Sequence, residues 1–186
     1  RESAKSHRAN FYSSFCTSQI EAYVDNAAMS LDFKIVQVSE IPEILDYEQR
    51  KLAEQILNEE DRALLSWNAR WRKEALEHYI PMGWSFLARD TAVKSEFSDD
   101  GLLMGYFIAQ PLLFLDGQTQ SLWVEHLQYS SLQVRDEISD LAYRLSREKH
   151  LQKVYFPKSP ATLNSTKHMR AEEWNPQVLS AKTTKA

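Results

Sequence analysis

The alternation of apolar and polar positions divides residues 29–157 into eight elements. Phe33-Lys34-Ile35-Val36-Gln37-Val38 alternates and is rich in β-branched residues, which predicts a strand. Ile41, Leu45, Leu52, Ala53 and Ile56 then mark one face of a helix, with Pro42 in its first turn. Asn58, followed by Glu59, Glu60 and Asp61, marks a second helix start. A short polar side chain caps the free N–H groups there, and acids suit the positive helix end. Leu64, Leu65, Asn68, Trp71 and Ala75 lie on one side of this helix, which runs to about His78 and is stopped by Pro81.

The next stretch is β-rich. Trp84 to Arg89 reads as a strand, and Thr91 to Asp100 as a polar loop. Gly101 to Leu115 reads as a long strand, with a bulge or bend at Pro111. Asp116-Gly117 is a tight hairpin signal, and Ser121 to Gln128 is the returning strand. By simple alternation, Leu122, Val124 and His126 point one way, and Trp123, Glu125 and Leu127 the other. With apolar side chains on both sides, this strand is expected to be covered on both faces. Ser130-x-x-Gln133 has a capping-box pattern and opens a helix carrying Val134, Ile138, Leu141, Ala142 and Leu145 on one side. Leu151 to Phe156 is a last strand, ended by Pro157. A strand, helix, strand succession of this length predicts a parallel pair joined by a crossover. The order β-α-α-β-β-β-α-β is a mixed α+β fold with helices packed on the sheet.

Two flanks lie outside this pattern. Residues 1–28 form an N-terminal arm with a helical stripe at Tyr12, Cys16, Ile20, Tyr23 and Ala27. Residues 158–186 form a basic tail with a short helix expected near Ser165 to Trp174.

Composition removes several kinds of chemistry. Only four of the 186 residues are glycine, and none precedes a predicted helix. Both the phosphate-cradling P-loop and the dinucleotide fingerprint need glycine there, so both are excluded. The single cysteine, Cys16, leaves no intramolecular disulfide or Cys-rich zinc site and fits a cytoplasmic protein. The five histidines have no ligand-like spacing, so no metal is expected. The longest apolar run, Leu102 to Leu115, is 14 residues long, short of a membrane span. Net charge is −4, but residues 32–157 carry −7 and residues 158–186 carry +3. The acidic centre argues against a nucleic-acid-binding core. Trp67, Trp71, Tyr79 and Trp84 are dense enough to wall an acceptor groove or a protein interface, or to form core.

The order of elements over about residues 32–157 resembles the GCN5-related N-acetyltransferase (GNAT) fold. Its best part is residues 84–129, where Ala88-Arg89-Asp90, Leu103-Met104-Gly105-Tyr106-Phe107, the Asp116-Gly117 turn and the strand Trp123 to Tyr129 look like the family's second to fourth strands. The resemblance implies acetyl-CoA or another acyl-CoA as the donor. It places the cofactor along Leu127 and Tyr129 and at the following helix start, at Gln133, Val134 and Arg135. The family signature there is R/Q-x-x-G-x-G/A. Gln133 matches it, while Asp136 and Ile138 stand where small residues belong. With Asp136 and Glu137 in the first turn, the helix end would be compensated and would repel a pyrophosphate.

The resemblance also implies Glu125 as a general base on the fourth strand, with His126 on the opposite face. No Tyr follows Tyr155, so the family's usual general acid lacks a counterpart. Tyr129, near the right strand, is the candidate. The family continues with a helix and two strands, but 29 residues with little β pattern beyond Pro176-Gln177-Val178-Leu179 predict a short or missing end. A partner subunit could complete it by strand addition. Two functions are consistent with all this. One is an acyl-CoA-dependent N-acyltransferase or its catalytically impaired relative. The other is a non-enzymatic module that uses the sheet for homodimerisation or partner binding.

Overall fold

The computed structural model describes residues 29–184. The stripe at Tyr12 to Ala27 and Cys16 lie outside the described residues. The chain enters through strand β1 (Leu31–Ile35) and continues into helices α1 (Ile41–Gln55), α2 (Glu59–Trp67) and α3 (Lys73–Tyr79). Strands β2 (Phe86–Asp90), β3 (Leu102–Leu115) and β4 (Gln118–Tyr129) follow. Helix α4 (Leu132–Glu148), strand β5 (Lys153–Pro157), helix α5 (Pro160–Ser165) and strands β6 (Glu172–Asn175) and β7 (Val178–Lys182) complete it. All seven strands form one sheet in the order β1-β2-β3-β4-β5-β7-β6. Only β4 and β5 pair in parallel, across the α4 crossover, and every other pairing is antiparallel.

Local chemistry sets the element ends. Pro42 sits in the first turn of α1, where a missing N–H removes no helical bond. Asn58 caps α2 by accepting the Glu60 N–H at 2.9 Å. Asp116 and Gly117 both have positive φ (52° and 71°), as the tightest hairpin turn requires. Ser159 and Thr162 form a reciprocal capping box on α5.

The core lies between one sheet face and the α1–α3 layer. It holds Ile41, Ile44 and Tyr47 of α1, Trp71, Leu76 of α3, Leu87 of β2, and Tyr106 and Ile108 of β3. Fully burying one such side chain contributes about 1.5–3 kcal/mol. The other sheet face is covered by α4 through Val134, Ile138 and Ala142.

Three expectations are corrected. The predicted second helix breaks into α2 and α3, because the chain turns between them and swings Trp71 into the core. The inward side of α1 is Ile41, Glu43, Ile44, Tyr47 and Glu48, while Ala53 is exposed. The tail folds into the domain: β7 pairs along the whole of β5, and β6 borders β7. The closing helix and two strands are short but present, so no partner strand is needed at that place.

Candidate active site

A β-bulge in β4 organises the site. Ile108 of β3 faces His126, but the next residue, Ala109, faces Val124. Glu125 is therefore the extra residue, and the strand turns locally at that point. The bulge lies on β4, not at Pro111 as the sequence suggested. Its consequence is that Trp123, Glu125, His126 and Gln128 all address the α1–α3 side of the sheet. Trp123 pairs with Gln110, whose side chain bonds to Glu125, while His126 and Gln128 both reach Glu48 of α1. Leu127 and Tyr129 stay on the α4 side, opposite Phe107 and Gly105.

The Glu125 carboxylate accepts from Gln110 Nε2 at 2.7 Å and from Tyr79 Oη at 3.4 Å. Arg70, on the link between α2 and α3, brings a guanidinium nitrogen to 3.7 Å. Burial and the neighbouring Glu125 raise the Tyr79 phenol above its usual range, so it remains a donor. Beside this cluster, Glu48 is nearly fully buried, accepts from the Tyr106 hydroxyl and from Gln128 Nε2 at 3.3 Å, and lies 2.7 Å from His126 Nε2. Burial, then Glu48, pushes the Tyr106 phenol well above its usual range.

The cofactor end of the resemblance lies where β4 leaves β5. The two strands pair only over Ser121–Trp123 and Lys153–Tyr155. The outer edge of residues 124–129 thus has no strand partner among the described residues. Helix α4 begins just beyond. Its cap is Ser131, one residue later than the sequence pattern suggested, and Ser131 Oγ accepts the Val134 N–H at 3.3 Å. The N–H groups of Leu132 and Gln133 make no bond among the described residues. With the helix starting at Leu132, Asp136 and Glu137 are its fifth and sixth residues, beyond the first turn, which holds no acid. Asp136 is also compensated, because the Arg135 guanidinium binds it at 2.6 and 2.8 Å. The expected repulsion of an anion at this helix end is thereby largely removed. An open strand edge leading to free helix N–H groups fits an acyl-CoA.

The structure thus gathers Gln133, Val134 and Arg135 at one helix end, with Leu127 and Tyr129 on the same side of β4. Val134 is buried, and its N–H belongs to the Ser131 cap. Glu125 and Tyr129 are separated, because the bulge sends them to opposite faces. Of the aromatic set, Trp71 is core, Tyr79 touches Glu125, and Trp67 is 79% exposed. Sequence reasoning missed Glu48, Gln110 and Arg70. Glu48 had a signal, since it continues the 3–4 spacing of Ile41 and Ile44 onto the buried side of α1.

No protein-family model and no curated protein sequence matches the chain. Solved structures do. A GNAT family acetyltransferase from Listeria monocytogenes is similar at TM-score 0.54 and 14% identity, covering 84% of this chain and 98% of that one. The Drosophila melanogaster polyamine N-acetyltransferase gives TM-score 0.51 and 12% identity, covering 82% and 97%. N-acetylglutamate synthase from Neisseria gonorrhoeae, complexed with coenzyme A and N-acetyl-glutamate, gives 0.55 and 12%, covering 86% of this chain but 36% of that one. The seven-stranded mixed sheet with helices packed on it and these neighbours together establish that the chain has a divergent form of the GCN5-related N-acetyltransferase fold.

Proposed function

We propose that the protein is an N-acyltransferase that uses acetyl-CoA or another acyl-CoA. The observation that carries this reading is the bulge at Glu125, which turns two proton-accepting side chains to one face where β4 parts from β5. An acyl-CoA, when bound, supplies an activated acyl carbon and a thiolate leaving group. Leu127 and Tyr129 would line its chain on the open edge of β4. The N–H groups at the start of α4, with Gln133 and Arg135, would hold its pyrophosphate. Glu125 attracts the cationic amine and serves as the carboxylate base at the acceptor. Arg70, exposed and already beside Glu125, gives way to that amine. Tyr129 acts on the CoA side of the strand.

Isothermal titration with acetyl-CoA, followed by thiol release over a panel of amines, tests the reading. Micromolar binding with amine-dependent thiol release is expected. Binding without release for any amine marks a catalytically impaired relative. No binding at millimolar ligand removes the acyltransferase reading altogether.

One observation favours a second reading, an interaction module. Helix α2 has no buried residue and exposes Leu64, Leu65 and Trp67, next to exposed Leu57. Such a patch suits a homodimer or a protein partner. Light scattering of the wild type and of Trp67→Ser tests it, a monomer in both cases counting against it.

A further inference from the structure

We infer that His126, aligned by Glu48, is the side chain that finally accepts the amine proton, forming a carboxylate–imidazole pair. The inference rests on the acyl-transfer reading and assigns its proton handling. Glu48 comes from α1, Tyr106 from β3, and Gln128 and His126 from β4, so three elements converge on one buried carboxylate.

Hydrogen-bond roles fix the ring. Both Glu48 carboxyl oxygens already accept from donors, one from a phenol and one from an amide nitrogen. The 2.7 Å contact is then an Nε2–H donating to Glu48. A neutral imidazole with its proton on Nε2 presents a bare lone pair on Nδ1. Nδ1 makes no bond among the described residues, and the side chain keeps 21% of its surface exposed. The free nitrogen is therefore the accepting one. The Tyr106 ring lies 5.6 Å from the imidazole, centroid to centroid, and restricts how it can tilt.

The charged groups around His126 divide the work. Glu48, from α1, contacts it through Nε2 and is nearly fully buried. Glu125 is next in sequence and is held by Gln110, Tyr79 and Arg70. Glu125 attracts the cation and takes its first proton, leaving a neutral amine. As that nitrogen gives its electron pair to the acyl carbon, the amide C–N bond forms and the thioester C–S bond breaks with its pair on sulfur. The remaining excess N–H proton passes to Nδ1 of His126, and the ring returns one to the thiolate through water. The sum is an amide, a thiol and the first proton, which Glu125 releases to solvent. Glu48 is a positioning residue here: it holds the tautomer and steadies the imidazolium, as an acid behind a catalytic histidine does.

The test has two arms. Ring ¹⁵N spectra, with His126 assigned by its loss in His126→Gln, should show one Nε2–H tautomer in the wild type and a mixture in Glu48→Gln. Kinetically, His126→Gln should lower kcat by about 10²–10⁴-fold. His126→Gly should recover with added imidazole, and Glu48→Gln should lower kcat at least about tenfold with KM for acetyl-CoA unchanged. An Nδ1–H tautomer in the wild type overturns the inference whatever the activity. So does acyl transfer that survives His126→Gln, which would leave the acyltransferase reading standing. A wild type that binds acetyl-CoA but acylates no amine overturns both.

Discussion

Glu125 and His126 are neighbours in the chain, yet both turn to the same side of the sheet, one to Tyr79 of α3 and one to Glu48 of α1. In a regular strand they would oppose each other. The bulge is what puts both side chains on one face. Glu125→Gln should therefore lower acyl transfer by about 10²–10⁴-fold while leaving the fold intact. Single-turnover rates beside a thermal melt check this. A rate within threefold of wild type would remove Glu125 from the chemistry.

Gly105 packs where β3, β4 and α4 meet. A Cβ there would lie 2.8 Å from the Gln128 carbonyl oxygen and 2.9 Å from Val134 Cγ1. Gly105→Ala should destabilise by about 1–3 kcal/mol through overpacking. It should also weaken acetyl-CoA binding, since the α4 start is pushed off β4. Urea denaturation and titration calorimetry on the same sample check both effects.

Arg89 is buried between Glu43 and Glu40 and also donates to the Gly101 carbonyl at 2.9 Å. Removing Glu43 takes two bonds from the buried guanidinium and leaves it only Glu40 and the Gly101 carbonyl, so Glu43→Leu should cost on the order of 3 kcal/mol in chemical denaturation. The double change Glu43→Leu with Arg89→Met should recover most of that, because the buried guanidinium is then gone and Glu40 keeps Lys34.

Stability should fall in acid for a stated reason. Burial raises the Glu40 carboxyl, but the Gln37 N–H, Lys34 and Arg89 outweigh it and hold it below its ordinary 4.5. A depressed folded value gives stability that is present above about pH 4.5 and is lost as pH falls through the depressed value. Lys34 holds Asp100, and Lys153 holds Asp116, in the same direction. The urea midpoint should stay level from pH 7 to about 5, then drop. In Glu40→Gln the drop should be smaller.

Asp136 occupies the Arg135 guanidinium that would otherwise face an anion at the start of α4. Asp136→Ala should tighten acetyl-CoA binding by roughly fivefold, on the order of 1 kcal/mol for one exposed charge. The gain should shrink with added salt. Calorimetry at two ionic strengths measures it, and weaker binding in the variant would count against a pyrophosphate at this helix end.

Elements whose signals are local could be read from the chain alone. Pro42, the Asn58 cap and the Asp116-Gly117 turn each act on residues one to four away, and each stands where its chemistry dictates. Apolar periodicity likewise located β3, β4 and α4 and implied the parallel crossover, so the fold class and most of its order were legible. The candidate site depends on long-range pairing instead. The bulge at Glu125 comes from how β4 pairs with β3, and one extra residue reverses the side to which a side chain points. Glu48 and Glu43 look like surface acids in the sequence, because burying a carboxylate is unfavourable without partners. Those partners, Tyr106, His126 and Arg89, lie 46 to 78 residues away. The short strands β6 and β7 carry little pattern of their own, and it is pairing with β5 that makes them part of the sheet.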